Sequence, residues 1–298
     1  MAERIVAERI VSLLPSATEV LWFLGLGDRV VGVTYECNEP AIAADLPHVT
    51  NTIIPAGATP AEIDVIIGRA MANKEELYTL DRDLLASLDP DLIVSQDLCR
   101  VCAMPAGTVT EAVASLGCSA EVFSYDPMDL DGVLDQMEAL GRAAGAPDAG
   151  LARVDDLRHR LADQRATAAS AANQRPSVLL LEWPDPPYTP GHWIPDQIVA
   201  AGGHPVLAHP GGRSSATTWD EVAACGAAVL IVAPCGFDQT AAEAQLAEVV
   251  ARPELADLPA ISNQRYFSID ADAYIVRPGP RLIDGIDELR ARIASRHA

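Results

Sequence analysis

RIVSLLPSATEVLWFLGLGDRVVGV, residues 9–33, reads as a strand, a helix and a second strand in immediate succession. The apolar run at 9–13 predicts a buried strand. Ser16-Ala-Thr-Glu19 fits a capping box, which supplies acceptors to the free N–H groups of a new helix. That helix is expected to run to about residue 25, with Gly27 marking the turn into a strand at 30–34. Trp22 sits inside the apolar helix and is expected in the core. Such an alternation predicts an α/β unit with a mostly parallel sheet.

The same alternation extends outward. Helices are expected near 60–72, 81–88 and 107–116, and strands at 92–95, announced by Asp89-Pro90-Asp91, and at 121–124. From 129 to about 172 no strand signal occurs. Residues 129–144 read as one helix, ended by Gly145 and Pro147, and 148–172 as another, with Leu151, Val154, Leu157 and Leu161 at helical spacing. At 1.5 Å per residue the second would reach roughly 35 Å, and a Gly/Ser-rich flexible linker is not what this composition encodes. The second half then repeats the pattern, with strands at 178–181, 229–232 and 266–269 and helices at 195–201, 241–250 and 281–293. The expectation is an α/β protein of two Rossmann-like lobes with mostly parallel sheets, 1–128 and 175–298, joined by a helical connector at 129–174 whose stiffness limits hinge closure.

The chain has 298 residues, a formal net charge of −21 and a single lysine, Lys74. That charge repels phosphate backbones and acidic headgroups, which argues against nucleic acid as a partner. No run reaches the roughly 20 apolar residues of a membrane span, so no membrane insertion is expected. The first residues, MAERIVAERIVSLLP, lack a charged segment followed by a long apolar core and cleavage site. A cytoplasmic location is expected on that ground, or a periplasmic or extracellular one if a leader is missing. Six cysteines in 298 residues do not make a disulfide scaffold.

Ligands of open parallel sheets bind beyond the carboxyl ends of the strands. Four segments with chemically active residues fall there: Tyr35-Glu36-Cys37, Gln96-Asp97-Leu98-Cys99-Arg100-Val101-Cys102, Glu182-Trp183 and Pro234-Cys235-Gly236-Phe237. Two lobes facing each other across these edges would form one cleft. Trp183, Trp193 and Trp219 lie in loops of the second half, and Tyr35 and Tyr274 add to them. Large flat side chains with a few polar neighbours suit a large, partly apolar ligand.

Residues 9–33 resemble the opening of the helical-backbone substrate-binding proteins for cobalamin, haem and iron-siderophores. LASLDPDLIVSQ (85–96), GHWIPDQIVAAGGHPVLA (191–208), TTWDEVAACGAAVLIV (217–232) and RPGPRLIDGIDEL (277–289) continue the resemblance in order over nearly the whole chain. Within that superfamily the chain looks like the cobalamin-binding subgroup. The resemblance implies two α/β lobes, one long connecting helix and a shallow cleft. It implies Tyr35 and the 96–99 segment on the first lobe's side, Trp219 and Tyr274 on the second's, and Gly191-His192-Trp193 at the rim. It implies a corrinoid ligand and an ABC permease as partner. In that reading stacked aromatics hold the macrocycle, Gln96, Glu182 and similar groups bond its amides, and His192 or a thiolate coordinates cobalt.

Two other classes remain open from the residues alone. Cys99-x-x-Cys102 has a spacing that allows two thiolates on one metal, with Cys37 and Cys235 completing four ligands and zinc the default ion; His192 or Glu36 are substitutes. A cysteine-dependent enzyme would use Glu36-Cys37 and His192 as base and nucleophile. No nucleophile elbow, phosphate loop or zinc-protease helix supports it, so catalysis is not expected. Cys118 and Cys225 read as small buried residues, His48 as a surface or capping histidine, and Arg277-Pro278-Gly279-Pro280 chiefly as a stiff entry to the last helix, with a ligand carboxylate or amide as the alternative partner of Arg277.

Overall fold

The computed structural model describes residues 6–97, 106–116, 119–170 and 175–295. The chain divides into two compact units, the first comprising Met1–Pro127 with Leu134–Asp156, the second Met128–Val133 with Leu157–Ala298.

In the first unit the elements run β1 (Ile10–Ser12), α1 (Pro15–Phe23), β2 (Val30–Val33), β3 (Thr50–Thr52), α2 (Pro60–Asn73), β4 (Tyr78–Leu80), α3 (Arg82–Leu88), β5 (Leu92–Ser95), α4 (Ala106–Leu116) and β6 (Glu121–Ser124). Strand β1 is central: Ile10 pairs with Val30 of β2 and with Leu92 of β5, both parallel, and β6 adds parallel to β5. The order is β2-β1-β5-β6. Ile10, Val11 and Ile93 are fully buried, because helices cover both faces of a parallel sheet and leave its strands no wet side. One face packs Val11, Leu13, Val49, Leu85, Ile93, Val109 and Val113 into a single core.

Two helices follow, α5 (Leu130–Ala143) and α6 (Asp148–Ser170), and the division between the units falls inside each. The second unit continues with β7 (Ser177–Leu181), β8 (Trp183–Pro184), β9 (Pro187–Thr189), α7 (Ile194–Ala200), β10 (His204–Pro205), β11 (Ser215–Ala216), α8 (Trp219–Ala224), β12 (Val229–Val232), α9 (Gln239–Val250), α10 (Pro259–Ser262), β13 (Tyr266–Ser268), α11 (Ala271–Tyr274) and α12 (Arg281–Ala294). Its sheet is again parallel, in the order β10-β7-β12-β13. The α/β class and the parallel sheets are as the alternation predicts.

Local chemistry explains most helix starts. Thr59 and Glu62 close a capping box over α2, with Pro60 in its first turn, and Thr218 with Glu221 do the same for α8. Asp81, Asp238 and Asp270 each accept an N–H from the first turn of α3, α9 and α11. The capping box expected at Ser16–Glu19 does not form. Pro15, whose fixed φ suits the first helical position, starts α1 two residues earlier than a Ser16 cap would, with Leu14 as a cap without a side-chain bond. Ser16 and Glu19 are then inside the helix, each 6% exposed. Trp22 is half-buried rather than core: its ring covers Gly27, where an added Cβ would lie 2.5 Å from Nε1.

Two small antiparallel assemblies carry no sequence signal. Strands β3 and β4 pair around Asn51 and Thr79, and β8, β9 and β11 form a three-stranded sheet. Runs of two or three residues, several containing proline, are too short to display a period of two.

Helix α6 approaches the end of α1 so closely that a Cβ at Gly150 would overlap the Leu24 carbonyl. Gly150→Ala is expected to destabilise the first unit by about 1–3 kcal/mol, read as a drop of several degrees in its thermal midpoint. An unchanged midpoint would show that the contact is not tight.

Candidate functional site

The parallel sheet of the first unit delivers three loops to one edge. After β2, Thr34 N–H bonds the Ser12 carbonyl at 2.9 Å, and Leu13 N–H bonds Val94 at 2.8 Å, so the strand ends are stitched together before the loops diverge. Tyr35 and Glu36 follow, both half-buried, with Tyr35 Oη donating to Glu36 Oε1 at 3.1 Å. Burial, and next the Glu36 charge, hold the Tyr35 phenol well above its ordinary pKa, so it stays a neutral donor. Its ring centroid lies 6.4 Å from that of Tyr78.

Gln96 and Asp97 leave β5 on the same edge. Gln96 is 8% exposed, and its carbonyl accepts the Ala106 N–H at 3.1 Å. Asp97 is exposed; its N–H bonds Asp126 Oδ1 at 2.7 Å, and its own Oδ1 accepts from Ala106 at 3.0 Å. Asp126, which also accepts from Ser124 Oγ, follows β6. The strand-end rule that picks out Gln96 applies equally to Tyr125 and Asp126, which the sequence reading passes over. Tyr125 is fully buried, and burial with the nearby Glu19 charge raises its phenol pKa.

Cys37 is not at the edge. It is 1% exposed, and its sulfur lies 3.0 Å from Thr18 Oγ1, which in turn donates to Ser12 Oγ at 2.9 Å. A buried thiol held against the Thr18 hydroxyl is an interior group rather than an open metal ligand. Cys235, in the second unit, is exposed after β12. Cys99, Cys102 and Cys118 lie outside the described residues. Among the described residues no three His, Cys, Asp or Glu side chains gather as a metal ion requires, and nothing supports the zinc expectation. Cys225 is half-buried against the second core, and burial raises its thiol pKa.

The edge of the second unit is aromatic. Trp183 in β8 meets Phe237 edge to face at 5.8 Å, and its Nε1 is held by the Asp185 carbonyl at 3.1 Å. Glu182 is half-buried, its carbonyl accepting the Cys235 N–H at 3.3 Å. Next along the edge, Asp272 receives Gly236 N–H at 3.1 Å on one oxygen and Arg277 at 2.6 Å on the other. Arg277 is thus engaged within the protein, its side chain 10% exposed. Tyr274 is half-buried at the end of α11, and its carbonyl accepts from the fully buried Gln197 at 2.8 Å.

The other two tryptophans are placed differently. Trp193 is 6% exposed, and its Nε1 donates to the Ile275 carbonyl at 2.7 Å. An indole that satisfies its N–H inside the protein fills the interior, so Trp193 supports the edge from behind. Trp219 is half-buried, packs on the second core and carries the Arg252 guanidinium 3.9 Å over its ring. His192 has φ 54°, a left-handed conformation fixed by its N–H to Gly212 at 2.6 Å. Burial, and next the Arg213 charge, lower its pKa.

Two outcomes follow from these placements. The folded state disfavours the His192 cation, so the unfolded chain gains a proton first as pH falls below about 6.5. Stability is therefore fully present above that pH and declines below it. His192→Asn, which tolerates the same φ, should flatten the fall in urea midpoint between about pH 7.5 and 5.5; an identical slope would remove His192 from the account. Among Cys37, Cys225 and Cys235, a maleimide should label Cys235 first under native conditions, as mapped by mass spectrometry. Cys37 labelling as fast would contradict its burial.

Residues 10–273 match the family model described as periplasmic binding protein. A vitamin B12-binding protein of Vibrio cholerae is 27% identical over 290 residues, covering 97% of this chain and 90% of its own length. The crystal structure of the periplasmic vitamin B12 binding protein BtuF of Vibrio cholerae superposes with a TM-score of 0.68 at 24% identity, covering 96% of both chains. An uncharacterized ABC transporter substrate-binding lipoprotein of Bacillus subtilis, YvrC, is 27% identical over 96% of this chain and 80% of its own. The crystal structure of a periplasmic heme binding protein from Pseudomonas aeruginosa has the same fold, with a TM-score of 0.71 at 22% identity over 96% of this chain and 92% of that one. With the match running from β1 into α11, the chain belongs to the periplasmic binding protein family.

Proposed function

We propose that this protein binds a cobalamin-like corrinoid, without chemical change to it, and passes it to an ABC permease. The observation that carries the reading is the likeness to a vitamin B12-binding protein along 97% of the chain. The edge chemistry supports it. In the second unit Trp183 and Phe237 offer flat apolar surface and Glu182 and Tyr274 polar groups; in the first, Tyr35, Glu36, Gln96 and Asp97 offer polar groups of the kind that bond the amides fringing a corrin ring. His192 and Trp219 belong to the same proposed set, with Trp193 as support. The permease partnership rests on YvrC, named as an ABC transporter component.

The cytoplasmic expectation gains no support. Similar proteins are described as periplasmic or as a lipoprotein, and we place this protein's work on the outer side of the membrane. No described helix is long and apolar enough to cross a bilayer. A metal held by the protein's own cysteines is not part of the proposal; the metal is the one the ligand brings.

Cyanocobalamin added to the purified protein should shift its visible bands and quench tryptophan emission with saturable stoichiometry. Trp183→Ala should weaken binding by roughly tenfold or more. Haem is the comparison ligand: saturable binding of haem and none of cobalamin would replace the corrinoid reading.

A further inference from the structure

Beside the outer edge of β2 lies a hollow of about 360 Å³, of whose lining the strand-end rule picks out only Tyr35. It is built by the β3–β4 pair, one of the elements without a sequence signal. Val49 N–H bonds the Val33 carbonyl at 2.9 Å, and Thr50 Oγ1 sits 2.6 Å from Thr34 Oγ1, which pins β3 against the end of β2. Asn51 then stands directly opposite Thr79 in the antiparallel register. His48, Asn51, Thr79, Asp81 and Tyr35 all line the hollow.

The polar capacity there is largely unspent. Asp81 uses Oδ1 to cap α3 at Leu84 N–H, 2.9 Å, and Asn51 uses Oδ1 on the Thr52 N–H. Asp81 Oδ2, Asn51 Nδ2, the Thr79 hydroxyl and both His48 ring nitrogens make no hydrogen bond among the described residues. A carboxylate, an amide donor, a hydroxyl and an imidazole around a tyrosine ring do not suit an anion, least of all on a chain of net charge −21. They suit a neutral ligand with one flat face and several hydroxyls. A volume near 360 Å³ is within the usual range for a small-molecule site, about 300–1,000 Å³.

We propose that this hollow seats the nucleoside of a complete corrinoid, the base against Tyr35 and the ribose hydroxyls on Asp81 and Asn51, with Thr79 and His48 at its margin. The assignment rests on the corrinoid reading and deepens it, since it makes the protein prefer corrinoids that carry a nucleotide loop. Carboxylate oxygens are effective acceptors for ribose hydroxyls, and a site built to hydrogen-bond a group discriminates strongly against the analogue lacking it.

The test compares cobalamin with cobinamide, which lacks the nucleotide loop, on the whole chain and on Asn51→Ala and Thr79→Val, with free α-ribazole (the dimethylbenzimidazole nucleoside) titrated separately. Cobalamin should bind at least about tenfold more tightly than cobinamide, and the variants should lower that ratio several-fold with thermal midpoints unchanged. Equal affinities, or a ratio that the variants leave intact, would overturn the assignment while leaving the corrinoid reading in place. Absence of binding by both corrinoids would overturn that reading, and α-ribazole would then decide the hollow alone: binding weakened by the variants supports it, and no binding rejects it.

Discussion

A parallel strand can rejoin its sheet only after the chain has returned to the end from which it started, and the chemistry of both units depends on that constraint. Every strand must release its loop at the same edge. The bonds from Thr34 to Ser12 and from Leu13 to Val94 fix the ends of β2, β1 and β5 in one line. Tyr35 and Gln96, 61 positions apart in number, are therefore delivered to a common edge by backbone pairing alone. The second unit repeats the arrangement, with Glu182, Cys235 and Asp272 following β7, β12 and β13.

Hydrogen bonds spent on the backbone behind that edge hold its loops in place. Gln197 is fully buried, and its amide donates to the carbonyls of Tyr274 and Leu282. Trp193 secures Ile275, Asp272 secures Gly236, and Gly285 brings α12 against the Tyr274 carbonyl where no side chain would fit. Loops fixed by main-chain bonds need less ordering when a ligand arrives, which lowers the entropic cost of binding.

The parallel sheets were legible because a buried strand writes itself as an apolar run, as in Leu92–Ser95 and Val229–Val232, whose positions agree with the reading to the residue. Strand-end residues were legible for the same reason. Orientation was not. Trp193 and Cys37 follow the pattern in position but turn inward, one toward a carbonyl and the other toward Thr18, and nothing in the residue order reports that turn. His48 reads as a surface histidine and is exposed, but its neighbours Asn51 and Thr79 could not be read from the residue order because β3 and β4 are three residues each. The failed capping box at Ser16 shows two local signals in competition, with proline prevailing over serine because its constraint is covalent.

Lys74 closes α2 in the left-handed conformation, φ 58°, fully at the surface and just ahead of β4. It is the chain's single lysine. Within these 298 residues an acylating dye therefore finds one side-chain amine, and it stands close in the chain to Thr79. The natural sequence thus carries its own attachment point for a fluorophore, with no engineered cysteine needed to place a reporter beside the β3–β4 pair.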